Sequence, residues 1–315
     1  MVGSINMDIV AFADQYPNRG DTVFGKELLF SPGGKGANQA AACAKLGKEA
    51  VMIGCVGGDP FGDRVLDALK LSGVDVHAVR RSASASTGTV LVTLDGSAEN
   101  TMLVVKGANE ELSDGDIDAC GDVLRSSEAL LVQMEVPATA VVRAMVIARE
   151  CGIPVILDPA PVQGIVPEML RYADIVVPNR QETAHITGIS VTDVPSALAA
   201  ARWMEEKAGV SRSVIKMAEN GSLVYAHGEW EHVAAVPVQP VDTVAAGDCF
   251  AGALACALAD GQSLPGAARF AAIVSALKVT RRGAQSGIPT LAEVRQFCAM
   301  RGLRHEYVEI KGGRG

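Results

Sequence analysis

Asp248 is well placed in this chain to take a proton from a reacting group. It follows Asp242-Thr243-Val244-Ala245-Ala246-Gly247 and introduces an apolar run, Cys249 to Leu258, that holds no proline and no charge. That pattern predicts a loop of small residues feeding the N-terminus of a buried helix. Such a loop lets the backbone approach a ligand closely, and the unpaired amides at a helix start attract an anion such as phosphate. A carboxylate at an anion-binding place has one natural task, accepting the proton of a hydroxyl that attacks the phosphate. The amides of Ala245, Ala246, Gly247 and Asp248 would then hold the charge that develops on the transferring phosphoryl group. A first-turn acid can equally be a cap that suits the helix dipole, and this stretch alone is compatible with both.

Pro32-Gly33-Gly34-Lys35-Gly36-Ala37-Asn38-Gln39-Ala40 is a second glycine turn opening a helix of small residues. Its glycines permit close backbone approach, Lys35 is a movable cation for a phosphate or sugar oxygen, and Asn38 can both donate and accept. Asn6 and Asp8 lie two apart, so on a strand they share one side and could grip adjacent sugar hydroxyls; an Asn/Asp turn is the alternative. Acids follow three predicted strands, at Glu135, at Asp158 and in Asn179-Arg180-Gln181-Glu182. Ligands gather beyond the carboxyl ends of parallel strands, although Asp-Pro turns are also ordinary loop chemistry.

The segments GGKGANQA and DTVAAGDCF resemble, in order and separation, the two signatures of the ribokinase (phosphofructokinase-B type) sugar kinases. The resemblance runs from Gly3 to about Pro289. It implies an α/β fold, a ribokinase-like three-layer sandwich with a mostly parallel central sheet and a small β-sheet lid. It implies ATP-dependent phosphorylation of a pentose primary hydroxyl, D-ribose at O5 foremost, with Asp248 as base. By position it assigns Asn6, Asp8, Gly34, Lys35, Gly36, Asn38, Glu135 and Asp248 to the sugar. Asn179 and Glu182 form the family's NxxE motif, which places Mg2+ and phosphate largely through water. Lys216, Ala218, Asn220, Gly221 and Gly247 fall on the ATP side. A monovalent cation, usually K+, is implied between Asp242, the carbonyl of Val244, and Lys278, Arg281, Gly283 and Gly287, mainly through carbonyls. The chain departs from the family pattern in four places. Asp158 stands where Asn is common and Lys216-Met217-Ala218 where Thr-Leu-Gly is typical, adding a cation near the phosphates. Ala272 replaces a His that often borders adenine, and Gly287 replaces a common Ser, removing one hydroxyl ligand of the cation.

The elements that must position these groups read as one domain over residues 1–315, with lid segments at about 10–31 and 87–107. Short strands at 23–30, 87–94 and 101–105 suit a small separate sheet, which needs a partner surface. The resemblance makes it a lid over the sugar and the contact of a homodimer. Beyond residue 112 the chain alternates: helix at 113–124, strands at 129–132, 154–157 and 174–177, helices at 138–150 and 165–172. That spacing suits right-handed crossovers and a parallel sheet. A strand, turn and strand span 213–225, and a helix at 265–281 ends in a basic turn. The first strand, within residues 1–10, reads as clipped, and the tail after about 303 as frayed.

The 315 residues are 49% hydrophobic but only 4% aromatic, and 28 basic against 36 acidic residues leave a net charge of −8. That balance argues against nucleic acid and anionic membranes as partners. Seven scattered cysteines, an odd number without CxxC, argue against a disulfide framework or zinc site. With no signal peptide and no apolar run of transmembrane length, a cytoplasmic protein is expected. Asn6, Asp8, Asn38 and Glu135 suit a small polyhydroxylated sugar. The rivals are a kinase of 2-deoxyribose, another sugar or a nucleoside, and a non-catalytic sugar sensor. A nucleoside kinase would want an aromatic or apolar slot for the base, and a sensor would need neither Asp248 nor the glycine cradle. No GxGxxG follows a strand with an acid beyond it, which excludes a dehydrogenase. Cys249, beside the proposed base, would make the site oxidation-sensitive.

Overall fold

A computed structural model describes residues 1–96, 100–165 and 167–303. The tail expected to fray lies outside the described residues. Six strands form the main sheet, in the spatial order Glu229–Val233, Ser222–Ala226, Arg212–Lys216, Ile175–Val176, Val155–Leu157, Leu130–Val132. The last four are mutually parallel and the first two add as antiparallel hairpin strands at one edge. Val2 bridges both Val132 and Ile53 in parallel, so the short strand at the chain's start joins the sheet beside Leu130–Val132.

Both faces of the core strands are buried. Leu131, Ile156, Ile175, Val214 and Val224 face one core, with the helices Lys35–Lys45, Ala246–Ala259, Leu264–Val279 and Leu291–Arg301. Leu130, Val132, Val155, Leu157, Val176, Ile215 and Leu223 face the other, with Ala138–Glu150 and Val194–Ala208. The three-layer α/β arrangement expected from the sequence is therefore present, with successive side chains of each strand serving opposite layers. The helix at 138–150 has its expected bounds. The helix expected at 113–124 is instead two, Asp114–Ala119 and Gly121–Arg125, divided at Cys120. Two short strands, Ala50–Val51 and Gly54–Gly57, follow the first of the small-residue helices.

A separate four-stranded sheet is ordered Gly25–Gly33, Asn6–Ala13, Gly88–Leu94, Asn100–Val105. It begins earlier than the expected lid segment, because Asn6 pairs with both Gly33 and Gly88. One continuous strand thus carries Asn6 and Asp8 from the main body into the small sheet. Among the described residues no helix is long and apolar enough to cross a membrane.

Candidate active site

The helices Lys35–Lys45 and Ala246–Ala259 are built from small residues, and this lets them touch. A Cβ on Gly252 would lie 2.9 Å from the Ala42 side chain and 3.0 Å from the Gln39 carbonyl. That approach brings the first turns of both helices together. Asn38 Nδ2 donates to Asp248 Oδ2 at 2.9 Å, and Gln39 Nε2 reaches Asp248 Oδ1 at 3.3 Å and Asp158 Oδ2 at 2.8 Å. Asp248 is only 6% exposed, and its carboxylate bonds to another helix rather than to its own N-terminus, which disfavours a simple cap. Burial raises its pKa, Lys35 opposes the rise, and Asp158 adds to it.

Ala245 starts the helix in the left-handed region at φ 60°, and the turn folds the Ala246 amide back onto the Thr243 carbonyl at 3.1 Å. Ala246 was expected to offer its N–H to an anion; the hydrogen bond to Thr243 removes that donor. The amides of Ala245, Gly247 and Asp248 have no protein acceptor among the described residues.

Around this centre the glycine turn fits against the first strand. Gly34 has φ 90°, and a Cβ there would meet Asn6 N and Ser4 O at 2.8 Å; one on Gly36 would meet the Gly3 carbonyl carbon and Ser4 N at 2.7 Å. Gly34→Ala is expected to destabilise the fold by more than about 2 kcal/mol through combined strain and overlap, read as a lowered urea midpoint with unchanged slope. Glu135 Oε2 accepts from Ser4 Oγ at 2.5 Å and from the Lys35 amide at 3.2 Å. Asp8 has a buried Oδ1 without a hydrogen-bond partner among the described residues. Burial pushes its carboxyl up to about 7, with Glu135 and Asp248 adding to the rise. Burial works against the Lys35 ammonium, but the carboxylates of Asp248, Glu135, Asp158 and Glu182 outweigh it and raise its pKa. One cation thus sits within the field of four acids drawn from two strand ends and two helix starts.

On the opposite side, Asn179 caps the helix Arg180–Thr187 in a reciprocal box. Glu182 N donates to Asn179 Oδ1 at 2.9 Å, and Asn179 N returns to Glu182 Oε2 at 2.7 Å. Glu182 is 7% exposed; burial raises its pKa, the Lys216 ammonium opposes that, and Asp158 adds to it. Lys216 Nζ donates to Asp158 Oδ1 at 3.0 Å. A Cβ on Gly247 would sit 3.7 Å from this ammonium, so Lys216 lies beside the open amides. Ala218 and Gly221 turn with positive φ, 54° and 80°, and hold the 218–220 segment at the strand end. Asn220 offers its carbonyl to His232 Nε2 at 2.7 Å.

An acid held at a helix start beside open amides, with a lysine and buried carboxylates converging on it, has the parts of a phosphoryl-transfer site. Residues 1–291 match the pfkB family of carbohydrate kinases. The chain belongs to the pfkB family. A ribokinase of Schizosaccharomyces pombe is 37% identical over 305 residues, covering 93% of this chain and 95% of that one. A deoxyribokinase of Salmonella typhi is 32% identical over 303 residues, covering 95% and 98%. The solved structure of Arabidopsis thaliana ribokinase complexed with ribose and ATP superimposes with a TM-score of 0.86 at 32% identity, covering 94% of this chain and 96% of that one.

Two ions are implied for pfkB kinases, and their donor sets differ here. Glu182 is a hard oxygen donor whose oxygens both accept from Asn179 but keep lone pairs. Among the described residues no cluster of three His, Cys, Asp or Glu could hold a metal. A lone carboxylate of this kind fits Mg2+, which usually keeps several waters and takes few protein ligands. The expected K+ site does not fit in the same way. Asp242 Oδ1 accepts from Val244 N at 2.9 Å and Oδ2 from Gly283 N at 2.7 Å, while its carbonyl accepts from Lys278 Nζ at 3.0 Å. The Lys278 carbonyl accepts from Arg281 N at 2.9 Å. Arg281 turns its guanidinium to Glu293, 3.0 Å away. Of the expected ligands, Asp242 and the Lys278 carbonyl already accept from amides and from an ammonium.

Several residues of this site escaped the sequence reading. Asn109, 1% exposed, donates to Asn6 Oδ1 at 2.7 Å and accepts from Ile5 N at 2.9 Å, fixing the Asn6 rotamer. Gln133 donates to Gln39 Oε1 at 2.5 Å, and Ser4 holds Glu135. Gln39 had the one available signal, its place beside Asn38 in the glycine motif. Cys249, expected to be oxidation-sensitive, is 0% exposed, and burial pushes its thiol well up, with Asp248 adding to the shift. A buried, neutral thiol is a poor nucleophile, so thiol reagents are not expected to reach it.

Proposed function

We propose that this chain phosphorylates the primary hydroxyl, O5, of D-ribose with ATP as donor. The observation that carries this reading is the buried Asp248 carboxylate, held by Asn38 beside the open amides of Gly247 and Asp248. The relatives named ribokinase and the neighbour complexed with ribose and ATP supply the substrate. In this mechanism Asn6, Asp8, Asn38, Glu135 and the Gly34–Gly36 turn grip the sugar hydroxyls. Asp248 takes the proton of O5 as it attacks the γ-phosphorus, and its raised pKa makes it a better base than an ordinary carboxylate. The bond from phosphorus to the β,γ-bridging oxygen breaks and ADP leaves. The amides of Gly247 and Asp248, with the ammoniums of Lys35 and Lys216, meet the charge on the transferring group. Asn179, Ala218, Asn220 and Gly221 border the nucleotide, and Glu182 would hold water on Mg2+, which when bound neutralises phosphate oxygens.

Incubation with ATP, Mg2+ and D-ribose is expected to give a product whose phosphorus resonance is split by the two C5 protons. A doublet from the anomeric proton would contradict O5 as the acceptor. The deoxyribokinase relative favours one second reading, 2-deoxyribose on the same groups.

Asp8 makes sugar binding pH-dependent in this scheme. With its carboxyl at about 7, the charged acceptor form grows as pH rises. Ribose affinity is therefore expected to strengthen about tenfold between pH 6 and 8, by calorimetry, and Asp8→Asn to flatten that slope. Stability runs the other way. The folded state holds this proton more tightly than the unfolded chain, so the Asp8 contribution is lost as pH rises from about 4 to about 7.

The lid would also supply a homodimer contact. Leu28, Leu29, Leu91 and Met102 to Val105 are apolar and exposed on its sheet, a surface that favours a second copy over water. A cytoplasmic site of action agrees with ATP use and with seven cysteines, all free.

A further inference from the structure

Lys278 lies in the helix Leu264–Val279 and is fully buried, 0% exposed. Lysine almost never takes such a position without a partner. Its Nζ donates to the Asp242 carbonyl at 3.0 Å. The carboxylate of the same residue closes the turn by accepting from Val244 N and Gly283 N. The lysine stem has room because residue 287 has no side chain. A Cβ on Gly287 would lie 3.2 Å from Lys278 Cε, 2.6 Å from the Gly283 carbonyl oxygen and 3.1 Å from that of Arg282. The absent serine and the buried lysine are thus one feature: a side chain at 287 would press on the lysine and on the turn. A second ammonium serves the far end of the turn, where Lys45 Nζ donates to the Gln285 carbonyl at 2.8 Å and the Ile288 carbonyl at 3.3 Å.

We propose that the Lys278 ammonium stands in place of the monovalent cation implied for this turn, so that the chain positions its anion-binding loop without K+. The ammonium carries the same charge as K+ and donates to the Asp242 carbonyl, one oxygen of that turn, at 3.0 Å. The location is consequential. Asp242 and Val244 lead directly into Ala245, whose left-handed conformation aims the Gly247 and Asp248 amides. The lysine's own helix also grips that turn, since Ser275 Oγ donates to the Ala246 carbonyl at 3.0 Å. Lys278 is a positioning residue: it touches the turn and acts on the phosphoryl group only through it. Its consequence for turnover rests on the kinase reading above, whereas its consequence for ion binding does not.

The test measures wild type, Lys278→Ala and Lys278→Met in choline, Na+ and K+ buffers, by turnover and by thallium-205 resonance of Tl+, a K+ analogue. Wild type is expected to turn over equally in choline and K+ and to hold no Tl+. Lys278→Ala is expected to lose about tenfold or more in choline, to recover in K+, and to bind Tl+ in the vacated space. Lys278→Met keeps the stem but no charge and is expected to lose activity without recovery. Wild type that is activated several-fold by K+, or that binds Tl+, would overturn the proposal whether or not the variants fold. An alanine variant that folds, yet is neither restored by K+ nor binds Tl+, would overturn it too. If the chain proves inactive on every sugar, the Tl+ result still decides this inference, and the kinase reading fails separately.

Discussion

Asp248→Asn is expected to lower kcat by about 10²–10⁴-fold, the range for loss of a general base, and to leave ribose affinity within a few-fold. The substitution keeps shape and one acceptor for Asn38 Nδ2, which holds the carboxylate at 2.9 Å. It removes the group that receives the hydroxyl proton. Stability should not fall with activity. The pKa of Asp248 is raised by burial, so its charge is held against a solvation penalty, and a neutral amide relieves that penalty. A residue that only capped the helix would give the reverse split: about 1 kcal/mol lost from stability, with turnover intact. Steady-state kinetics, ribose calorimetry and urea unfolding on one preparation separate the two.

Asp158→Asn is the second large effect, and it restores the residue common in the pfkB family rather than removing a shared one. Here Asp158 faces Lys216, with side chains 3% and 14% exposed. Neutralising it leaves a nearly buried ammonium without its carboxylate, which costs about 3 kcal/mol. The nearby Glu182 softens the loss by electrostatic attraction to the same ammonium. Lys216→Thr alone should also be unfavourable, because Asp158 would remain a buried charge with Gln39 as its remaining donor. The double variant should recover most of the stability, giving a coupling of about 2 kcal/mol in a double-mutant cycle. If Lys216 also steadies the phosphates, the double variant keeps its stability but shows a raised KM for ATP. Additive single losses would show that the pair is not a unit.

The sequence made the chemistry legible where a motif is local. The GGKGANQA and DTVAAGD segments announced two glycine turns opening small-residue helices, and those helices do meet at Asp248. The alternation of helices and strands beyond residue 112 likewise announced a parallel sheet. Groups whose role comes from distant partners were not legible. Asn109 acts on Asn6 across 103 positions, and Gln133 on Gln39 across 94. Neither carries a local pattern, since a lone Asn or Gln reads as surface. Asn179-Arg180-Gln181-Glu182 was read as a metal and phosphate motif, and its local geometry is a capping box; a buried first-turn acid can serve both ends. Lys278 was the least visible. A lysine in the last turn of a helix ordinarily complements the dipole in water, and only packing against Gly287 reveals that this one points inward.

Phosphorylation of a pentose by ATP, with Asp248 as the base, is read by ADP release coupled to a spectroscopic signal. The assay would compare D-ribose, 2-deoxyribose, fructose and adenosine, each with ATP and Mg2+, for wild type and Asp248→Asn. The highest kcat/KM is expected on D-ribose, with turnover nearly abolished in the variant. Turnover that persists in Asp248→Asn, or a wild type that binds ribose yet releases no ADP with any of the four, would contradict it.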